Sequence, residues 1–525
     1  MPETGKWQVR WQSAERSARA ATRAAVRSVQ TAIHATRQTW QATPRQTQQT
    51  WRLTAVSAAT GLAVAIVAVA ASGPWDSGQR TAERAQAAEM DGASGEHHAP
   101  EARPAPSAPP VLPALGGRVP GAAGRGAAPA PTDAGLADAL APLLKDPALG
   151  PLRTASVLDV AAGREVFGEG QGKAATPAST VKLATAVAAL SALGPDHRID
   201  TTVVLTGKNR LVLVGGGDPT LTARAPRHGA EEQPANLRTL ADATARALRK
   251  RHLTKISLGY DTAAYSGPAE HPIGPNENIA PVTALMTDEA RLDDSEHGTA
   301  PRDADPAHTA ARTFADLLHD RGITVDGDPE GAKAPKKAAR IAAVHSLPLS
   351  AFVERMLTYS DNDIAEALAR QTALASRQPA SFAGAGKAVR TALQREHLPL
   401  SGAVFEDGSG LDRDDKVTAA LLSRLLLHAS SPDHPALRPV VTGLPVAAFT
   451  GTLSNRYRGQ SAYGAGAVRA KTGTLTGVNT LAGTVVDADG RLLTFSFMTT
   501  GTTDPQGAQN ALDKLASAVA NCGCR

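Results

Sequence analysis

Two hydrophobic periods divide the body of the chain. Residues 154–160 and 164–167 place apolar side chains at alternate positions on either side of Ala162-Gly163, the pattern of paired strands. Residues 201–205 and 210–214 repeat it. Residues 467–472, 479–486 and 492–499 predict three antiparallel strands, the last two joined through Asp487-Ala488-Asp489-Gly490. Elsewhere apolar positions recur at three- and four-residue steps. They predict helices over 181–193, stopped by Gly194-Pro195, over 364–370, and over about 505–520. Asp133 reads as the N-cap of a first helix through Leu144. Strands at both ends with helices between predict one discontinuous α/β domain over 133–525, with a region at about 198–345 inserted into it.

The N-terminal part follows a different pattern. Residues 53–71 are nineteen positions without a charge, closed by Gly73-Pro74-Trp75, just long enough to cross a bilayer core. Residues 1–52 carry nine Lys/Arg against Glu3 and Glu15. The positive-inside rule then makes 1–52 a basic cytoplasmic segment and 53–73 a transmembrane signal anchor. Everything after it lies outside, so the chain is expected in the cell membrane, single-pass, with an extracytoplasmic body. Arg16, Arg19, Arg23 and Arg27 form one stripe on a helix, opposite Ala18, Ala21, Ala25 and Val29. A helix lying on anionic lipid and a solvated basic tail both fit that stripe. Residues 74–132, rich in Ala, Pro and Gly, read as a disordered linker.

Composition narrows the function. A net charge of +5 on 525 residues does not imply nucleic acid. All five Trp precede residue 76, so the chain is split in composition. The only cysteines are Cys522 and Cys524, and a cysteine-free body fits an exported protein without structural disulfides. The terminal Cys-Gly-Cys fits a metal ligand pair, a small-ring disulfide or a frayed tail with incidental thiols.

Three motifs carry the chemistry, each occurring once and in this order: Ser179-Thr180-Val181-Lys182, Ser360-Asp361-Asn362 and Lys471-Thr472-Gly473. Ser179 falls at the start of an apolar helix, where free N–H groups favour a developing oxyanion. Lys182, one turn on, can reach the Ser179 hydroxyl and take its proton if the amine is neutral. Burial lowers a lysine pKa, and so does a second cation, a part open to Lys471. Ser360 is placed to relay a proton to the leaving group, and the Asn362 amide to hold Lys182 and a substrate carbonyl. Lys471 and Thr472 on a strand edge suit a terminal carboxylate. Gly473 admits close backbone approach, and the Thr474 N–H can complete an oxyanion hole with that of Ser179. Each motif alone also fits a plain structural role, an N-cap or a strand end. The ordered set is what a serine acyl transferase with a built-in amine base needs.

Two further segments invite misreading. Gly215-Gly-Gly-Asp-Pro-Thr-Leu221 lacks the ending of a phosphate loop and reads as a tight turn. Asp407-Gly-Ser-Gly-Leu-Asp-Arg413 matches no EF-hand spacing and reads as a structural turn near the cleft. No His/Asp/Glu set has catalytic zinc spacing, so no metal and no cofactor is expected.

From about Ser156 to about Gly501 the body resembles the class C low-molecular-mass penicillin-binding proteins, the D-alanyl-D-alanine carboxypeptidase/endopeptidase family. The resemblance rests on Ser156-Val-Leu-Asp159, Pro177-Ala-Ser-Thr-Val-Lys182, Leu193-Gly-Pro195, Gly217-Asp-Pro-Thr-Leu221, Ser360-Asp-Asn362 with Ala365-Glu366, Asp407-Gly-Ser-Gly-Leu411 and Lys471-Thr-Gly-Thr-Leu475. It implies a serine β-lactamase/transpeptidase-like domain, an antiparallel sheet flanked by helices, with Ser179 acylated and Lys182 as base. It also implies peptidoglycan stem peptides as substrates and β-lactam antibiotics as inhibitors. The insert is shorter than in the best-known members, so a separate third domain is expected to be reduced or missing. Two other readings stay open: a β-lactamase, which differs in how fast the penicilloyl ester is hydrolysed, and a non-catalytic wall-binding or signalling module.

Overall fold

In the computed structural model, residues 128–225 and 233–524 are described. The expected cytoplasmic segment, membrane span and most of the linker lie outside them. None of the described helices is long and apolar enough to cross a membrane.

Helix α1 (Asp133–Leu140) leads into the sheet strands β1 (Leu152–Asp159) and β2 (Arg164–Glu169). Its N-cap is Thr132, whose hydroxyl accepts from the Gly135 N–H, while Asp133 sits in the first turn. The cap stands one residue before the expected Asp133, since Thr and Asp are both good caps. A short 3-10 turn, Ala178–Val181, then enters α2 (Lys182–Leu193), which Gly194 closes at φ 85°. Helix α2 is buried on nearly all sides, and its repeated alanines let neighbouring helices approach closely.

The insert begins at β3 (Asp200–Thr206) and ends at β7 (Ala339–His345), with β4 (Arg210–Val214), α3 (Leu237–Arg249), β5 (Lys255–Asp261), α4 (Pro306–His319) and β6 (Thr324–Gly331) between. Its five strands run in the order β6-β5-β4-β3-β7. The β3–β4 and β3–β7 pairs are antiparallel, and β4–β5 and β5–β6 parallel. Leu240, Leu248, Phe314 and Leu318 of α3 and α4 bury the core of this sheet. The segment between β5 and α4 has little regular structure.

Beyond the insert come α5 (Leu349–Tyr359), α6 (Asn362–Ala375), α7 (Phe382–Arg395) and α8 (Ala419–Ser430). The chain then adds β8 (Val468–Leu475), β9 (Val478–Val486), β10 (Leu492–Thr500) and α9 (Pro505–Ala520). β1, from the start of the domain, pairs with β10, from its end, Ser156 opposite Ser496. The sheet order is β2-β1-β10-β9-β8, wholly antiparallel. The domain is therefore discontinuous, with β8 at one edge.

Each face of this sheet has its own core. Phe495, Phe497 and Leu481 pack with Leu136, Leu140, Leu512 and Leu515 of α1 and α9. On the opposite face Ser156 and Ser423 of α8 share a hydrogen bond of 2.8 Å, and Thr494 donates to the Ser423 carbonyl. Small polar side chains there let α8 lie close to the strands, with Ser156 and Thr494 bonded to Ser423 while the Ser496 hydroxyl has no partner among the described residues. The C-terminal tail is docked rather than frayed. Cys522 is buried, the Cys524 carbonyl accepts from Thr132 N at 2.8 Å, and the two cysteines are paired with Cα atoms 4.9 Å apart.

Candidate active site

The nucleophile turn is held from three sides. Ala178, fully buried, takes φ 48°, a left-handed backbone costly for a residue with a Cβ. Thr180 Oγ1 donates to the Pro177 carbonyl at 2.7 Å, and Thr480 Oγ1 of β9 donates to the same carbonyl at 2.8 Å. The strained turn lifts Ser179 to the head of α2, half-exposed in a cleft of about 350 Å³. Ser360, Asn362, Thr452, Thr472 and Thr474 line the same cleft.

Lys182 lies wholly inside the protein, and its amine bonds three oxygens: Ser179 Oγ at 3.0 Å, Asn362 Oδ1 at 2.7 Å and the Ser409 carbonyl at 2.6 Å. Three acceptors suit an ammonium, and burial opposes it. Burial prevails and lowers Lys182 to about 8, although the carboxylates of Asp407, Asp361, Glu366 and Asp415 pull the other way. Lys471 is also fully buried, with its amine donating to the Thr472 carbonyl at 2.8 Å. Burial, then Lys182, push its pKa well below the usual range. Lys471, the candidate second cation beside Lys182, is thus itself pushed toward its neutral form. Repulsion between them is mutual, so charge on either disfavours charge on the other.

The Ser360-Asp361-Asn362 turn joins α5 to α6. Ser360 closes α5 in a left-handed conformation at φ 60°, and Asp361 caps α6 by accepting from Ile364 N at 3.0 Å. The capping role and the catalytic placement coexist in one turn. Among the described residues the Ser360 hydroxyl makes no hydrogen bond, so it faces the cleft without a fixed partner. Asn362 ties the insert to the nucleophile helix: Oδ1 accepts from Lys182, and Nδ2 donates to the Asn278 carbonyl of the insert at 2.9 Å.

β8 presents the third motif on a sheet edge. Pro445 and Val446 cover its start, where Ala470 N donates to the Pro445 carbonyl at 3.0 Å, and the stretch beyond lines the cleft. Thr472 Oγ1 donates to Thr452 Oγ1 at 2.9 Å. Gly473 lies against the nucleophile turn. A Cβ there would collide with Thr480 Oγ1, and would lie 2.6 Å from the Pro177 carbonyl and 3.1 Å from Ser179 N. Gly473→Ala is therefore expected to push β8 off the turn and slow acylation by about a hundredfold. Stopped-flow acylation with the folded variant checks this.

The sequence marks the Asp407 loop only as a structural turn near the cleft, and it gives no sign of the insert residues that support this group. Asp407 is buried in the Asp407–Asp412 loop, where it accepts from the N–H groups of Ser409, Gly410 and Asp412 and from His271 Nε2 of the insert. Burial works against its charge, but the His271 and Asp415 hydrogen bonds and the loop N–H groups hold it below the usual carboxylate range. Burial, then the Asp407 charge, push Asp415 up to about 10, which makes it neutral and able to donate. Asp363, beside Asn362, pairs with Arg302 at 2.9 Å and accepts from Ala280 N at 2.9 Å. His271, Asn278, Ala280 and Arg302 all come from the aperiodic stretch after β5, which gave no pattern to read.

Besides the half-buried Glu396, His428 and His434, the fold brings together a buried carboxylate–imidazole trio that linear spacing hid. Atoms of His271, Glu366 and Asp407 lie within 4.8 Å of one another. All three are buried, and Glu366 Oε1 already accepts from Gly408 N at 2.9 Å. A second trio, Glu289, Asp361 and Asp363, is matched by Arg291, Arg302 and Arg355. His271 and the arginines pair with the carboxylates of both trios, although Glu366 Oε2 and Asp361 Oδ2 are buried without a hydrogen bond among the described residues.

Against known proteins, the chain matches the D-Ala-D-Ala carboxypeptidase 3 (S13) family over residues 136–295 and 292–521. It is 37% identical over 411 residues to a carboxypeptidase of Mycobacterium tuberculosis, covering 75% of this chain and 85% of that protein. It is 39% identical over 439 residues to carboxypeptidase DacB of Mycolicibacterium smegmatis, covering 81% and 92%. The crystal structure of penicillin binding protein 4 from Haemophilus influenzae shares the fold, with a TM-score of 0.58 and 22% identity, covering 73% of this chain and 97% of that one.

Proposed function

Because the chain belongs to the D-Ala-D-Ala carboxypeptidase 3 (S13) family, we propose that Ser179 carries the acyl group of a peptidoglycan stem peptide, with Lys182 as the base that generates it. The protein is a serine hydrolase of the D-Ala-D-Ala carboxypeptidase kind. The observation that carries the site assignment is the buried Lys182 amine, 3.0 Å from Ser179 Oγ and lowered to about 8.

Ser179 Oγ attacks the carbonyl carbon of the penultimate D-Ala, and its proton passes to Lys182 Nζ. The oxyanion forms between the N–H groups of Ser179 and Thr474, where the helix start and the strand edge meet. The C–N bond breaks, and the leaving amine takes the proton from Lys182 through the unpartnered Ser360 hydroxyl. Water then hydrolyses the ester and regenerates Ser179. Thr472 and Thr452 receive the terminal carboxylate, with the buried Lys471 amine behind them. That carboxylate favours a charged Lys471, and like-charge repulsion then favours a neutral Lys182, so substrate helps prepare its own base. Benzylpenicillin enters the same cleft and leaves a penicilloyl ester.

The basic segment 1–52 and the uncharged run 53–71 support a body anchored outside the cytoplasmic membrane, facing the wall. Cleavage of a cross-linked dimer uses the same chemistry, with a D-centre of meso-diaminopimelate as leaving group. The test is mass spectrometry of purified muropeptides. Loss of one terminal D-Ala from pentapeptide, abolished by prior penicilloylation, is expected. Unchanged pentapeptide beside an active control enzyme contradicts the reading.

A further inference from the structure

The insert reaches beneath the catalytic lysine through one imidazole. His271 is 3% exposed, and its Nε2 lies 3.0 Å from Asp407 Oδ2. Ile273 N donates to Nδ1 at 3.3 Å, which in a neutral ring fixes the hydrogen on Nε2. In a charged ring both nitrogens carry hydrogen, so Nε2 donates to Asp407 in either state. The edge of Phe382, at 5.1 Å between centroids and 83° between planes, packs the ring in place.

Asp407 passes this constraint on. Its Oδ1 accepts from Ser409 N at 3.0 Å and from Gly410 N at 2.5 Å, and its Oδ2 accepts from Ser409 Oγ at 3.1 Å. The next group along is the Ser409 carbonyl, which makes the shortest of the three bonds to Lys182, 2.6 Å. Gly410, at φ 82°, lies so close to the Ala178 carbonyl that a Cβ there would collide with it. The loop thus touches both the base and the nucleophile turn.

We propose that His271 is a positioning residue for the acylation step: through Asp407 it fixes the Ser409 carbonyl against the Lys182 amine, and so couples the insert to the general base. This rests on Lys182 being that base. The charged and titratable groups around the ring are Asp407 and Asp412 on the loop and Glu366 on α6. Without the Nε2 hydrogen, the Asp407 charge is less compensated and more of its field reaches Lys182. The ammonium is then favoured, so the acidic limb of the rate profile moves to higher pH.

The test measures penicilloylation of the full chain by benzylpenicillin between about pH 6 and pH 10, resolving the initial binding constant K from the acylation rate k2. Wild type, His271→Phe and His271→Gln are compared after thermal melting confirms the fold. His271→Phe keeps a ring and loses the donor. His271→Gln restores an N–H at about the reach of Nε2. The expected results are k2 lower by about tenfold or more in His271→Phe, K little changed, the acidic limb raised by about half a pH unit, and recovery of both in His271→Gln. If His271→Phe does not fold, His271→Asn, whose amide is too short for Asp407, takes its place with the same expectation. A folded donor-less variant with the wild-type k2 and limb overturns the proposal, as does His271→Gln impaired equally with it. A wild-type chain that forms no adduct at all overturns the Lys182 reading together with it.

Discussion

Lys182→Met is expected to lose acylation by about a thousandfold or more, because among the described residues no other amine or imidazole is bonded to Ser179 Oγ. The methionine fills the same apolar space, and Asn362 and Ser409 lose a donor in return. Lys182→Arg is expected to fail equally, since a guanidinium does not give up its proton near neutrality. In the wild-type chain the same residue sets the pH dependence. Lys182 titrates at about 8. Below that pH the amine holds its proton and cannot accept the one on Ser179, so kcat/KM falls tenfold per pH unit toward acid. Above that pH the amine is neutral and the rate levels off. Initial rates on a D-Ala-D-Ala peptide at fixed ionic strength check both the loss and the limb. An acidic limb that survives unchanged in Lys182→Met assigns the base elsewhere.

Ser179→Ala is expected to remove hydrolysis by about ten-thousandfold or more while the protein stays folded. The hydroxyl accepts one hydrogen bond from Lys182, worth about 1 kcal/mol, and Lys182 keeps its bonds to Asn362 and Ser409. Thermal melting of the variant should therefore lie within a few degrees of wild type. Equilibrium binding of a stem peptide to the cleft should persist, since Thr472, Thr474 and Asn362 are untouched. D-Ala release at a wild-type rate from this variant places the nucleophile on another residue.

Much of this site was legible in the order of three motifs. The chain positions of Ser179, Ser360 and Lys471 are far apart, yet each sits at an element start, a turn or a strand, and those are what local pattern predicts. α2 and β8 to β10 followed from their apolar runs and the turn residues that bound them, although α2, β9 and β10 are buried at nearly every position rather than on one face. The sequence could not give the support beneath. His271, Asn278 and Arg302 lie in an aperiodic segment, and what matters is their contact, distant in sequence, with Asp407, Asn362 and Asp363. The Asp407 loop looked like a structural turn, and it is one. Its second role, presenting the Ser409 carbonyl to Lys182, depends on a backbone atom with no sequence signature. The direction of the Lys182 shift was foreseen. Of the two causes named from the sequence, burial and a second cation, burial is the larger, and the packing around α2 supplies it.

The most direct test of the account is intact-mass analysis of residues 130–525 after brief exposure to benzylpenicillin, followed over time with peptide mapping. The account predicts a long-lived penicilloyl adduct on the peptide that contains Ser179. An adduct that vanishes within seconds while penicillin is consumed would make the chain a β-lactamase. No adduct in folded protein would contradict the catalytic reading of Ser179 and leave a wall-binding module.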